Sequence, residues 1–160
     1  MWRKLKEEKP LLLIVCPPCT AFSPIQELNY AKLPEGKMAM ILRAGLYHLE
    51  LTAAVMKWHI AQGRYVFFEH PAPAKSWEEE CIQAVAHLPG VVTTVDDQCL
   101  YGLNVDGTGP NKETTRWLTK MEELVQPLSK RCNKKHFHVP LEGGNQPETH
   151  QSTPEHSARP

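Results

Sequence analysis

At 160 residues the chain has room for one domain with a real core, and its 41% hydrophobic content suits a globular fold. A formal net charge of zero gives no global sign of a nucleic-acid partner, and the longest apolar run, Leu11 to Cys16, is far below the roughly 20 residues of a membrane span. The charged opening, Met1–Pro10, leads into no apolar stretch with a small-residue cleavage site, and five cysteines make an odd count. Reduced thiols in an intracellular compartment are therefore expected.

Met1–Lys9 reads as a charged helix with Trp2 and Leu5 as its apolar contacts, stopped by Pro10. Leu11–Val15 is a continuous apolar run, expected to be a strand buried on both faces of a parallel sheet. It empties into Cys16-Pro17-Pro18-Cys19-Thr20, and functional residues of open α/β sheets gather at the carboxyl ends of strands. Between Glu35 and Gln62, apolar residues Met38, Leu42, Leu46, Leu49, Ala53, Met56 and Ile60 recur at three-to-four spacing. That pattern predicts a long amphipathic helix ended by Gly63.

Arg64–Phe68 is a second apolar strand, discharging into Glu69-His70-Pro71. Ser76 is placed as an N-cap with Glu79 at the capping-box position, starting a helix to about His87. After the Pro89-Gly90 turn, Val91–Val95 is a third, β-branched strand followed by Asp96-Asp97-Gln98-Cys99. Gly102–Lys112 has loop composition, and Thr114–Thr119 is the fourth strand. Met121–Cys132 reads as helical, kinked at Pro127. Alternating strands and helix-length connections predict an α/β domain over residues 1–141, with about four strands in a mainly parallel sheet flanked by helices. Residues 142–160, almost without apolar side chains, read as a disordered tail.

Two side chains stand out chemically. Two consecutive prolines stiffen the turn before Cys19 and can hold its thiol outward, as a nucleophile requires; the ordinary alternative is a buried small hydrophobe. Glu69 follows an apolar strand, so its carboxyl is expected at the same sheet edge, in a partly apolar cleft that favours the neutral form. By itself Glu69 is better explained as a helix N-terminal partner or a rim charge; beside Cys19 the two readings are even.

Val15-Cys16-Pro17-Pro18-Cys19-Thr20-Ala21-Phe22-Ser23 resembles the Pro-Cys motif of cytosine-C5 DNA methyltransferases, a prolyl-cysteine after a strand followed by a Phe-Ser pair. Glu69-His70-Pro71 is similar to the family's Glu-Asn dipeptide at the next strand end. Asp97-Gln98-Cys99-Leu100-Tyr101-Gly102, then Lys112 and Thr114-Thr115-Arg116 leading into a strand, resembles a relaxed form of the later motifs. Family-like segments in mobile-element polyproteins also close with a Cys and His pair such as Cys132 and His136. The resemblance spans Lys9 to Leu141.

It implies a partial Rossmann-like, class I methyltransferase sheet and a defined chemistry. The Cys19 thiolate would add to C6 of a flipped cytosine, activating C5 toward the methyl group of S-adenosylmethionine. Glu69 would hold N3 and the exocyclic amine, while Arg116 would order the site or touch a phosphate. Pro18, Ser23, His70 and Gly102 would lie around the substrate, and Pro17 and Pro18 beside the cofactor. The departures are specific: no strand and Gly-rich loop precede the Pro-Cys strand, His70 replaces the Asn, and Arg116 alone remains of a basic pair. The expectation is a catalytic half-domain, inactive alone, whose cofactor-binding half comes from a partner chain or is missing.

DNA is the expected partner. Seven basic residues between Asn111 and Lys135 (Lys112, Arg116, Lys120, Lys130, Arg131, Lys134, Lys135) could meet phosphates, though a solvated face of mixed charge fits them as well. Two other classes stay open. Cys16-Pro17-Pro18-Cys19 is also a C-x-x-C after a strand, as in thioredoxin-like redox proteins, although Pro24 interrupts the helix that should begin at the second cysteine. A non-catalytic remnant that binds DNA or another chain is the third reading. No metal is expected: Cys132, His136 and His138, with Cys99, match no standard finger spacing, and two histidines two residues apart on a strand would face opposite sides. They read as surface histidines. Gly107-Thr108-Gly109 with Lys112 lacks the Gly-Lys-Ser/Thr triplet of a phosphate loop.

Overall fold

The computed structural model describes residues 1–105 and 107–139. The expected tail, 142–160, lies outside them. A four-stranded sheet is built from β1 (Leu12–Val15), β2 (Tyr65–Pro71), β3 (Val92–Asp97) and β4 (Thr114–Thr119), in spatial order β1-β2-β4-β3. β1 and β2 pair in parallel, whereas β4 is antiparallel to both of its neighbours. The expected mainly parallel sheet is therefore corrected to a mixed one, with one parallel pair and two antiparallel pairs. The cause is topological, since β4 follows β3 through an irregular loop and returns between β2 and β3. β1, β2 and β3 nevertheless point the same way, so their carboxyl ends share one edge.

The helices follow from local chemistry. α1 (Trp2–Glu8) stops where Lys9 turns left-handed (φ 47°) before Pro10. In α2 (Pro24–Tyr30) the Ser23 hydroxyl accepts the Gln26 N–H at 3.2 Å and Pro24 occupies the first turn, so the proline expected to interrupt a helix instead begins one. α3 (Glu35–Ala61) runs 27 residues and buries Leu49, Ala53, Met56 and His59 on one side. α4 (Glu80–Ala86) is shorter than expected, and its N-cap position is held by Glu79, whose side chain makes no capping bond, not by Ser76. Ser76 sits inside a single turn, Lys75–Glu78, where its hydroxyl bonds His70 instead.

α3 carries the chain from β1 to β2, and α4 carries it onward from β2 to β3. Two successive crossovers in one direction across a sheet, both of the usual hand, put their helices on the same face. Leu49, Ala53 and Met56 of α3 and Ile82 and Val85 of α4 accordingly join Val66, Phe68 and Leu118 of that face in a single core cluster. The other face has no helix. There β1 presents Ile14, 62% exposed, so the expectation that β1 is buried on both sides is corrected: it is an edge strand covered on one face.

Residues 121–139 run alongside β3. The expected helix from Met121 to Cys132 is reduced to one turn, Glu122–Leu124. Met121, Leu124, Val125 and Leu128 are only half-buried, too little apolar burial to hold a longer helix. Polar bonds hold the segment, from the Thr94 hydroxyl to the Leu128 carbonyl (3.1 Å), from the Tyr101 hydroxyl to the Pro127 carbonyl (2.6 Å), and from the Asp97 N–H to the Lys130 carbonyl (3.0 Å). Among the described residues no helix is long and apolar enough to cross a membrane.

Candidate functional site

At the shared carboxyl edge, β2 runs past the end of β1 and straddles the Cys16–Cys19 turn. Alternation puts Glu69 on the helix-free face with Phe67, Trp117 and Asp96, and His70 on the helix-covered face with Phe68. Glu69 lies beside Cys16. Burial first, then the Glu113 charge, pushes its carboxyl above the usual carboxylate range, partly offset by Cys16. The two thiols answer in the same sense: burial and the Glu69 carboxylate raise Cys16, and burial is the main cause for Cys19, with Glu69 and Glu113 adding to it. Cys16 is exposed and Cys19 half-buried.

The structure thus brings Cys19 and Glu69 to one edge, as expected, with Cys16 against the carboxyl as well. It does not bring Arg116 onto that face. Arg116 pairs across the sheet with His70, and its guanidinium lies 4.7 Å over the Trp77 ring on the helix-covered side. The fixed parity of the antiparallel register decides this. His70 is buried, bonded through Nδ1 to Ser76, and lowered to about 4 by burial, against a contrary pull from the Pro17 and Pro18 carbonyls. Ser23 is occupied as the cap of α2, and Gly102 takes the left-handed position (φ 87°) that ends the Gln98–Tyr101 turn. Pro17 and Pro18 line an apolar pocket with Leu5, Leu13, Leu51 and Val55. No carboxylate lines it, so among the described residues it does not fit S-adenosylmethionine, whose sulfonium and ribose call for acidic partners.

The C-x-x-C geometry does not match a redox pair. Cys19 leads into a single turn, Thr20–Phe22, and not directly into the long helix that follows the second cysteine of a thioredoxin-like pair.

A second cluster converges where the sequence favoured surface histidines over a zinc site. Cys99, Cys132, His136 and His138 offer one ligand atom each, all within 4.8 Å of one another. The absence of any metal site is corrected by this convergence. Residues 133–138 form no strand: Lys134 takes φ 60° and reverses the chain, and the two imidazoles meet with centroids 4.4 Å apart. Cys99 comes from the turn after β3, 33 positions before Cys132 in the chain, a spacing that no local motif displays. Asp97, buried between them, accepts the Cys132 N–H (2.8 Å), the Arg131 Nε–H (3.1 Å) and the Thr114 hydroxyl (2.6 Å). Burial alone would raise this carboxyl, but those donors hold it below the usual range.

Comparison with protein-family models, with curated proteins and with solved structures finds no match to this chain.

Proposed function

We propose that the chain is the base-binding, nucleophile-bearing half of a cytosine-C5 DNA methyltransferase-like domain, with Cys19 as nucleophile and Glu69 as the group that holds the base. The observation that carries this reading is the delivery of Glu69, from β2, to the turn that follows the neighbouring parallel strand and bears Cys19. A cytosine N3 needs a donor and its amine an acceptor; a carboxyl raised above its ordinary range supplies both from one group when protonated. The Cys19 thiolate then adds to C6, and the negative charge passes to C5 and N3, where the Glu69 proton stabilises it. Methyl donation is assigned to no residue described here. Among the described residues the outer edge of β1 pairs with no strand, and a partner half-sheet would join there, while Lys112, Lys120, Lys130, Lys134 and Lys135 would supply phosphate contacts.

The addition step can be followed without a methyl donor. Thiolate addition at C6 makes C5 take a deuteron from solvent; loss of the C5 proton and expulsion of the thiolate leave deuterium on the cytosine. In heavy water, the protein should exchange C5 hydrogens of a cytosine-containing oligonucleotide. Cys19→Ser should abolish exchange, Cys16→Ser should retain it, and Glu69→Gln should slow it about 100-fold or more. No exchange by the unaltered protein, or equal exchange by Cys19→Ser, overturns the reading.

A further inference from the structure

The Cys99, Cys132, His136 and His138 side chains lie outside the proposed base-binding site. We propose that they form a structural zinc(II) centre that fastens residues 121–139 to the end of β3. Ligand type, spacing and surroundings agree on this.

Two thiolates and two imidazoles are a borderline-soft set that suits zinc in tetrahedral, four-coordinate geometry. With zinc–sulfur bonds of about 2.3 Å and zinc–nitrogen bonds of about 2.1 Å, a tetrahedron separates sulfur from nitrogen by about 3.6 Å. Cys132 Sγ lies 3.7 Å from His136 Nε2 and 3.4 Å from His138 Nε2, with both ring nitrogens directed at the same sulfur. Cys99 is buried, and its sulfur completes the set, all four ligand atoms lying within 4.8 Å of one another. Four protein ligands leave no open position for water, which makes the centre structural and not catalytic.

The surroundings fit a preorganised site. The Lys134 N–H donates to Cys132 Sγ at 3.2 Å, and the left-handed Lys134 backbone aims that amide. Such a donor stabilises thiolate charge. Asp97 fixes the Cys132 backbone from the opposite side. Binding would displace the protons of both thiols, and two thiolates with two neutral imidazoles neutralise a divalent ion, as a half-buried position requires. The need is equally plain, because residues 121–139 lack regular structure beyond one turn and contribute no buried hydrophobic residue.

Protein stripped with a chelator and titrated with cobalt(II) should bind about one ion per chain, with the intense visible bands of tetrahedral thiolate coordination, and zinc should displace it. Cys132→Ser and His136→Ala should lose this uptake, while His87→Ala, an exposed histidine on α4's end, should keep it. His138→Cys preserves four ligands, so it should retain the ion and strengthen the sulfur-to-cobalt charge-transfer band; this variant stays informative if Cys132→Ser fails to fold. Limited proteolysis of the stripped protein should open cleavage sites within residues 121–139 that zinc closes. Absence of uptake, a weak octahedral spectrum, or uptake unchanged in Cys132→Ser overturns the proposal. None of these readouts depends on Cys19 or Glu69.

Discussion

His70 and Glu69 are adjacent in the chain yet titrate in opposite senses, because the pleat sends one into the core and the other to the helix-free face. The His70 ring is buried against Phe68 and Trp77 with Ser76 on Nδ1, and its proton affinity drops from the ordinary 6.5 to about 4. Between those values the unfolded chain binds a proton that the folded one refuses, so stability rises with pH across that window. Its contribution is complete above about pH 6.5 and is lost as pH falls toward 4, up to about 3 kcal/mol in all. His59, held down by burial and by the Arg64 charge, adds to the same slope. Urea denaturation at pH 7 and pH 5, with zinc saturating, should show His70→Phe losing less stability between the two pH values than the unaltered protein; an equal loss would rule His70 out. Asp96 shows what register does to a carboxyl. Wholly buried on the helix-free face, it accepts the Trp117 indole N–H at 2.8 Å, yet burial still leaves it above its ordinary value.

Among elements, the contact between α3 and the Cys19 turn is set by one glycine. A Cβ at Gly45 would stand 2.4 Å from the Ala21 Cβ and 3.0 Å from Phe22 Cε2, and Ala21 has no flexible end to move aside. Alanine gains about 1 kcal/mol in helix propensity, whereas overpacking of this kind costs about 1–3 kcal/mol. Gly45→Ala should therefore lower stability by about 1–2 kcal/mol in urea denaturation and reduce C5 exchange, because the turn carrying Cys19 shifts with Ala21. Adding Ala21→Gly should restore both; failure to restore them would place the strain elsewhere. The long helix was legible in the spacing of Leu42, Leu46, Leu49, Ala53 and Met56. The short one after Ser23 was carried by a cap and a proline that also read as an interruption. Met121–Cys132 misled because its leucines and valine match a helical period but are only half-buried.

At the scale of the whole molecule, helices cover one face of the sheet, whereas the other is open at β1 and buried at Thr94, Asp96 and Thr119 of β3 and β4, and positions on the two should respond differently to substitution. Ile14 on the open side should accept Lys with a change within about 0.5 kcal/mol, while Leu118→Ala on the helix-covered side should cost about 2–5 kcal/mol. Comparable losses at both positions, measured by urea denaturation, would mean that the helix-free face is covered in solution. The sequence by itself determined the four strands, the long helix and the gathering of Cys19 and Glu69 at one edge, because apolar periodicity and turn residues act locally and strand ends inherit direction from their crossovers. Tertiary structure alone decided that β4 inserts antiparallel, that Arg116 faces away from Glu69, and that Cys99 meets Cys132, His136 and His138. Those outcomes depend on which strand neighbours which, and on where an irregular segment returns, and contacts between residues far apart in the chain leave no period in the sequence.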